Sequence, residues 1–226
     1  MTRTTNARIA GITFLLYIAV GLTALTLYGR ATDGEGVAAK LARIAEHAVE
    51  MRIAILLSFM TCFAALTLAV TLYAITRDED HELAMLGMIC RIAEGVLGGA
   101  FLVSSLGLLW LATARGTNAP EVGAARTLAT FFLRMEGWSP TISATFFAVG
   151  SSLFSWLLLR GRMVPVLLAR LGVIASVLLV VLLPMQLAGF PGGMVFLLMW
   201  LPMLVFEVVL ALWFLTKGVA PLAAGA

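Results

Sequence analysis

Residues 87–110 read GMICRIAEGVLGGAFLVSSLGLLW, an almost unbroken apolar run. About 20 such residues in a helix suffice to cross the hydrocarbon core of a bilayer. The run nevertheless contains Arg91 and Glu94, two charges that are costly in lipid unless they find partners. It therefore predicts a membrane-spanning helix that carries a polar site.

The composition of the whole chain is typical of a membrane protein. Of its 226 residues, 62% are hydrophobic and 12% are charged, whereas a soluble domain has about 45–50% apolar and about 25% charged residues. The formal net charge is +3, but the lysines and arginines are scattered among loops and span ends. The sequence therefore predicts an integral membrane protein in contact with the lipid bilayer, without a nucleic-acid partner.

Six segments are long and apolar enough to cross a bilayer as helices. No alternating pattern typical of strands competes with them, and open strand edges are not viable in lipid. The predicted fold is an all-α bundle of six transmembrane helices, in which residues 1–226 form a single membrane domain. The predicted spans are residues 9–29, 52–76, 83–113, 139–159, 164–184 and 194–216.

Two longer segments between the spans have amphipathic patterns. Residues 31–50 and 120–137 alternate apolar and charged side chains at helical spacing. We therefore expect two interfacial helices on the outer side, the first of which could instead extend the second span outward.

Ser139 and Pro140 are typical of a helix start. Pro202 lies inside the sixth span, where it frees a carbonyl one turn back and predicts a kink.

The short loops and tails predict the orientation, because lysine and arginine concentrate on the cytoplasmic side of a membrane protein. With both termini in the cytoplasm, the basic residues of the short inner segments are Arg3, Arg8, Arg77, Arg160, Arg162 and Lys217. The opposite side carries about as many, but they are diluted over the two amphipathic segments. We therefore expect both termini to be cytoplasmic.

Three charged residues lie at one depth inside the predicted spans. At 1.5 Å per residue, Arg91 and Glu94 lie roughly 12 Å and 16 Å from the inner end of the third span, and Glu207 lies roughly 15 Å from the inner end of the sixth. Arg91 and Glu94 also share a helix face, since they are three residues apart. Arg91 has enough donors to hold both carboxylates. One cation for two carboxylates leaves a charge of −1, which a proton or a cation would balance.

These three residues support more than one interpretation. A buried cluster of this kind fixes two helices in register, binds a ligand or an ion, or supplies a carboxyl for catalysis.

Arg52, Arg134 and Glu136 are predicted polar residues of an outer mouth, although Arg52 could also extend its side chain to the membrane surface. We predict no metal and no cofactor, because His47 and His81 lie outside the spans and no catalytic or phosphate-binding motif is present.

Five blocks of the chain resemble successive parts of one bacterial family. They are NARIAGITFLLYIAVGL, EMRIAILLSFMTCFAALTLAVTLYAI, CRIAEGVLGG, FFAVGSSLFSWLLLRG and LVFEVVLALWFLTKGV. In their order they resemble the integral-membrane domain-of-unknown-function family numbered 4386. The resemblance implies a six-helix protein of the bacterial inner membrane in which Arg52, Arg91, Glu94 and Glu207 occupy typical positions. Glu136 and Gly150 stand where that family commonly has histidines, and the family gives no activity to transfer.

The leading functional hypothesis is therefore a site at Arg91, Glu94 and Glu207 that binds or conducts a proton, a small cation or a cationic amphiphile. A second hypothesis is an accessory subunit whose buried charges only fix helix packing, in a homo-oligomer or with another membrane subunit. A third is an intramembrane enzyme that uses a carboxyl as acid or base. The missing nucleophile and metal count against the third, so an enzyme is not favoured.

Overall fold

The computed structural model describes residues 2–116, 119–190 and 192–220, and these residues form helices joined by short turns, with no strand among them. The helices are α1 (Arg3–Thr32), α2 (Gly36–Glu46), α3 (Ala48–Thr76), α4 (His81–Thr113), α5 (Val122–Arg160), α6 (Val166–Leu187), α7 (Met194–Leu198) and α8 (Trp200–Thr216). Six stretches of this helical structure are long and apolar enough to cross a membrane, with α7 and α8 together forming the last. The predicted six-span, all-α fold is confirmed.

The contacts between residues group the chain into two compact units. The first comprises Met1–Tyr17, Phe63–Gly95 and Thr141–Ala226, and the second comprises Ile18–Cys62 and Val96–Pro140. Each unit has its own apolar core.

The first unit is held together by large apolar side chains and by close helix approaches. Phe154, Leu179 and Phe214 are almost fully buried in its core. At Gly11 in α1, a Cβ atom would lie only 2.8 Å from the carbonyl oxygen of Ala211 in α8. Glycine therefore permits the contact between these two helices, as small residues commonly do where membrane helices pack.

The second unit contains α2, whose apolar residues pack inward. Ile44 is fully buried beside Leu108, with Val37 and Leu41 packed against the same core. The helix ends at Glu46, and α3 begins separately at Ala48. Within the segment 31–50, residues 36–46 therefore form a separate helix, whereas residues 31 and 32 end α1 and residues 48–50 extend the second span as the start of α3. The position of α2 at the membrane interface stays a prediction.

The predicted helix start at Ser139 and Pro140 is wrong, because α5 runs without interruption from Val122 to Arg160 with Pro140 inside it. Proline removes one backbone hydrogen bond, to the carbonyl of Glu136. A complete break would instead remove several backbone hydrogen bonds of the helix. The amphipathic segment 120–137 is accordingly not a separate helix but the first part of α5, apart from its first residues.

The last span is interrupted near Pro202. Helix α7 ends at Leu198, Met199 lies between the two helices, and Pro202 occupies the first turn of α8. A residue at position 202 would normally donate its N–H to the carbonyl of Leu198, and proline cannot. The interruption therefore lies one turn before the proline.

Candidate functional site

Arg91 is the most deeply buried charge of the first unit. Its side chain is 1% exposed, and its Nη1 lies 3.0 Å from Oε2 of Glu94. The guanidinium carbon lies 4.7 Å from the ring centre of Phe147 and 5.7 Å from that of Tyr17, distances at which a cation is attracted to an aromatic ring. None of its three guanidinium nitrogens makes an aligned hydrogen bond to another described residue. The contact with Glu94 is therefore an ion pair held by charge rather than by hydrogen-bond alignment.

Glu94 uses both of its carboxylate oxygens within the protein. Oε2 faces Arg91, and Oε1 accepts a hydrogen bond of 2.8 Å from the hydroxyl of Tyr17. The backbone carbonyl of Glu94 also accepts a hydrogen bond of 2.9 Å from Ser143 Oγ, which links α4 to α5. The carboxylate of Glu94 thus has a cation beside one oxygen and a neutral hydrogen-bond donor at the other.

Gly150 makes room for the side chain of Arg91. A Cβ atom at position 150 of α5 would lie 3.0 Å from Cγ of Arg91 and 3.1 Å from the backbone oxygen of Gly87. Both contacts are tighter than ordinary van der Waals distances, and the second is to backbone, which cannot move aside cheaply. The absence of a side chain at position 150 therefore lets α5 close over the arginine stem.

Glu207 of α8 is in a different situation. It is 5% exposed, yet its Oε1 has no hydrogen-bond partner among the residues that the structure describes. No described lysine, arginine or histidine lies within ion-pair distance of it. Arg91 and Glu94 act on it electrostatically from further away. The structure thus gathers Arg91, Glu94 and Glu207 in the first unit but pairs the arginine with Glu94 alone.

A small cavity adjoins Glu207. Its volume is about 10 Å³, and its walls include Ser151 and Ser155 of α5 and the apolar side chains of Phe14, Leu72, Phe154, Leu158, Met203, Phe206 and Leu210. A cavity of about this size is the smallest that holds a single water molecule. The carboxyl of Glu207 and the two serine hydroxyls are the polar side chains in its lining.

A family model described as a domain of unknown function, DUF4386, matches residues 9–218. The chain belongs to this family. The match includes every residue of the site described above. No curated protein and no solved structure matches the chain.

The DUF4386 site contains one residue that sequence reasoning missed. Tyr17 lies in the first span among apolar neighbours, but its hydroxyl donates to Glu94 and its ring faces Arg91. A tyrosine in the middle of a membrane span signals a polar partner, because its hydroxyl needs an acceptor in lipid. That signal predicts that a partner exists but does not name it.

The three residues of the predicted outer mouth are not joined by contacts within the described part of the chain. Glu136 accepts hydrogen bonds from Ser104 Oγ and, at 2.7 Å, from Ser105 Oγ. Arg52 and Arg134 are exposed and make no ion pair with it. The second unit therefore holds Glu136 with hydroxyl groups rather than with arginines.

The described residues contain no group of three or more histidine, cysteine, aspartate or glutamate side chains placed to hold a metal ion. The chemistry of the DUF4386 site is accordingly that of one arginine, two carboxyls and one phenol hydroxyl. With both carboxyls ionised its charge is −1. Such a group of side chains can hold a proton or a cation. Among the described residues of the site, two carboxylate oxygens have no hydrogen-bond partner, Oε2 of Glu94 and Oε1 of Glu207, but Oε2 of Glu94 lies in the ion pair with Arg91.

Proposed function

We propose that this DUF4386 protein binds a proton or a small cation at Glu207, inside a polar site completed by Arg91, Glu94 and Tyr17. The observation that carries the proposal is the buried carboxyl of Glu207. Among the residues that the structure describes, it has an oxygen without a hydrogen-bond partner and no cation in ion-pair contact. A buried charge is tolerated when it is paired or neutralised. Arg91 already forms an ion pair with Glu94. The negative charge of Glu207 therefore needs a bound proton or cation to neutralise it.

The size of the cavity favours the smaller ligands among those that the charges allow. Sites for drug-sized molecules occupy about 300–1,000 Å³, whereas the space beside Glu207 is about 10 Å³. A cationic amphiphile would therefore require the helices to separate. A proton or a small cation requires no such movement.

We further propose that the protein lies in the bacterial inner membrane with both termini in the cytoplasm. The basic residues of the short loops support this orientation. It would place Glu207 roughly 15 Å from the cytoplasmic face, at 1.5 Å per helical residue. The proton or cation would then have a shorter distance to the cytoplasmic face than to the outer face.

The orientation is tested by labelling single cysteines introduced at two exposed loop positions in a variant without Cys62 and Cys90. With Asp78→Cys, an impermeant reagent should label the protein only after the cytoplasmic side is opened. With Asp33→Cys, it should label intact spheroplasts. The reverse pattern would overturn the orientation.

The proton site is tested with Glu207→Gln in proteoliposomes. The infrared spectrum of the wild type should contain a protonated-carboxyl band that titrates with pH, and Glu207→Gln should lose that band together with any pH-dependent ion flux. Its melting temperature should stay the same or rise, because the amide removes an uncompensated buried charge. Glu82→Gln is the matched control, since Glu82 is exposed at the start of α4.

The proton proposal fails if the wild type and Glu207→Gln have the same carboxyl spectrum at every pH. The small-cation form of the proposal is tested by repeating the titration with sodium, potassium or lithium as the only added cation. A cation that binds at Glu207 should displace the protonated band at constant pH, and should not do so in Glu207→Gln.

The second candidate function is an accessory membrane subunit whose buried charges fix helix packing. The close packing of Arg91 between two aromatic rings and Glu94 favours it. Under this hypothesis Glu207→Gln would change the melting temperature without any loss of binding or flux. Wild-type protein that neither binds nor conducts any ion or amphiphile across a broad panel would support this second function over the first.

A further inference from the structure

We infer that the cavity beside Glu207 binds one water molecule, and that Ser151 and Ser155 position this water as the group through which the Glu207 carboxyl exchanges its proton. This inference rests on the proposed function and adds to it the occupant of the cavity and two positioning residues. It follows from the volume of the cavity, the residues that line it and the unused oxygen of Glu207.

The volume admits one small occupant. The cavity measures about 10 Å³, close to the minimum that a water molecule requires, and a buried water is stable when about two to four polar groups surround it. Glu207, Ser151 and Ser155 supply three such groups. A wholly apolar cavity of this size would stay empty.

The two serines are placed to serve one occupant together. They are four residues apart on α5 and therefore lie on the same helix face. Ser155 is 1% exposed and Ser151 is 8% exposed. Neither hydroxyl makes a hydrogen bond within the part of the chain that the structure describes. Their neighbour Ser152 differs, because its Oγ donates to the carbonyl of Val149 in its own helix at 2.7 Å.

The contact of α6 with this region is close. A Cβ atom at Gly172 of α6 would lie 2.7 Å from Oγ of Ser155 and 2.5 Å from the ring of Phe206. Glycine at position 172 therefore permits the close approach of α6 to Ser155 and Phe206.

The charged and titratable groups that act on Glu207 come from two helices. Arg91 and Glu94 belong to α4, and Tyr17 belongs to α1. The parts of α3 and α5 that line the cavity contribute apolar side chains and the two serines. Glu94 is already occupied by Arg91 and by the tyrosine hydroxyl. The serines line the cavity together with Glu207, so a water held by their hydroxyls can serve this carboxyl as a neutral donor and acceptor.

The test measures hydrogen–deuterium exchange of the protonated Glu207 carboxyl by time-resolved infrared spectroscopy of the full-length protein in lipid. In Ser151→Ala with Ser155→Ala, the carboxyl band should shift to higher wavenumber and its exchange should slow by about tenfold, the factor that corresponds to the loss of one hydrogen bond. Ser152→Ala is the matched control and should behave as the wild type. Each single serine variant should show part of the same change, and these variants serve if the double variant does not fold.

A second variant separates a bound water from a direct bond between a serine and the carboxyl. Ser151→Val fills the cavity and leaves the hydroxyl of Ser155 in place. If the water carries the exchange, Ser151→Val should slow it at least as much as the double alanine variant does.

Three results would overturn the inference, and they differ from failure of the proposed function. Exchange in the double alanine variant as fast as in the wild type would remove the role of the serines. Unchanged exchange in Ser151→Val would exclude a water in the cavity. Displacement of the carboxyl band by sodium at constant pH would assign the cavity to a cation instead. In all three cases the wild-type Glu207 band exists, whereas its absence would overturn the proton site itself.

Discussion

Removing the arginine of the polar site gives the largest predicted effect on stability. Among the described residues, Arg91→Ala leaves the carboxylate of Glu94 with the hydroxyl of Tyr17 as its one partner, and it removes the positive charge that acts on Glu207. Breaking a buried ion pair from one side costs about 3–5 kcal/mol. At about 2–4 °C per kcal/mol for a chain of this size, the melting temperature should fall by about 6–20 °C.

The same reasoning predicts a rescue. Neutralising both carboxyls in the background of Arg91→Ala, as Glu94→Gln and Glu207→Gln, removes the stranded charges and should recover part of that loss. The remaining deficit should be about 2 kcal/mol or more, because the arginine side chain is fully buried and its removal leaves a cavity. The amide of residue 94 can still accept the bond from Tyr17.

The assay is thermal unfolding of the single and triple variants in one detergent, with Arg170→Ala as control. Arg170 lies in α6 but is exposed, and it makes no ion pair within the described chain, so its loss should change the melting temperature by little. If the triple variant is no more stable than Arg91→Ala, the three charges do not share one site. Equal losses in Arg91→Ala and Arg170→Ala would also refute the reasoning.

Two further predictions concern the surroundings of the arginine. Tyr17→Phe removes a neutral donor to a buried carboxylate and should lower stability by about 1.5–3 kcal/mol, whereas Tyr73→Phe loses only a bond of 3.3 Å near the surface and should have little effect. Gly150→Ala places a Cβ atom 3.0 Å from Cγ of Arg91 and should lower stability by about 1–3 kcal/mol through overpacking. Gly29→Ala, which has open space around it in α1, should be neutral or slightly stabilising in the same melting assay.

The six spans could be predicted from the sequence because each of them is a long apolar run. Some 20 apolar residues in a row outweigh any local preference, and all six runs are helical in the structure. The helix start at Ser139 and Pro140 could not be located in this way, since a capping signal of two residues is weak. Proline removes one backbone hydrogen bond from a helix, whereas a break removes several, and α5 continues through Pro140.

Part of the polar site could also be predicted from the sequence. Position along a helix gives depth at 1.5 Å per residue, and a spacing of three residues predicts a shared face, so the pair of Arg91 and Glu94 follows from the sequence. Depth does not give rotation about the helix axis. The sequence therefore does not predict which carboxyl Arg91 contacts. It also does not predict that Tyr17 of another helix donates a hydrogen bond to that carboxyl.

The difference between the two carboxyls is what turns a buried charge cluster into a candidate binding site. A cluster that only fixed packing would be most stable with every charge paired, because an unpaired buried charge costs free energy and contributes no contact. Glu94 meets that description, with a cation on one oxygen and a hydroxyl on the other. Glu207 does not, although it is buried to the same extent. Glu207 lines a water-sized space together with two serines, whose hydroxyls make no hydrogen bond within the described part of the chain. This arrangement is expected if Arg91 and Glu94 hold the helices in place while Glu207 takes up and releases the ligand.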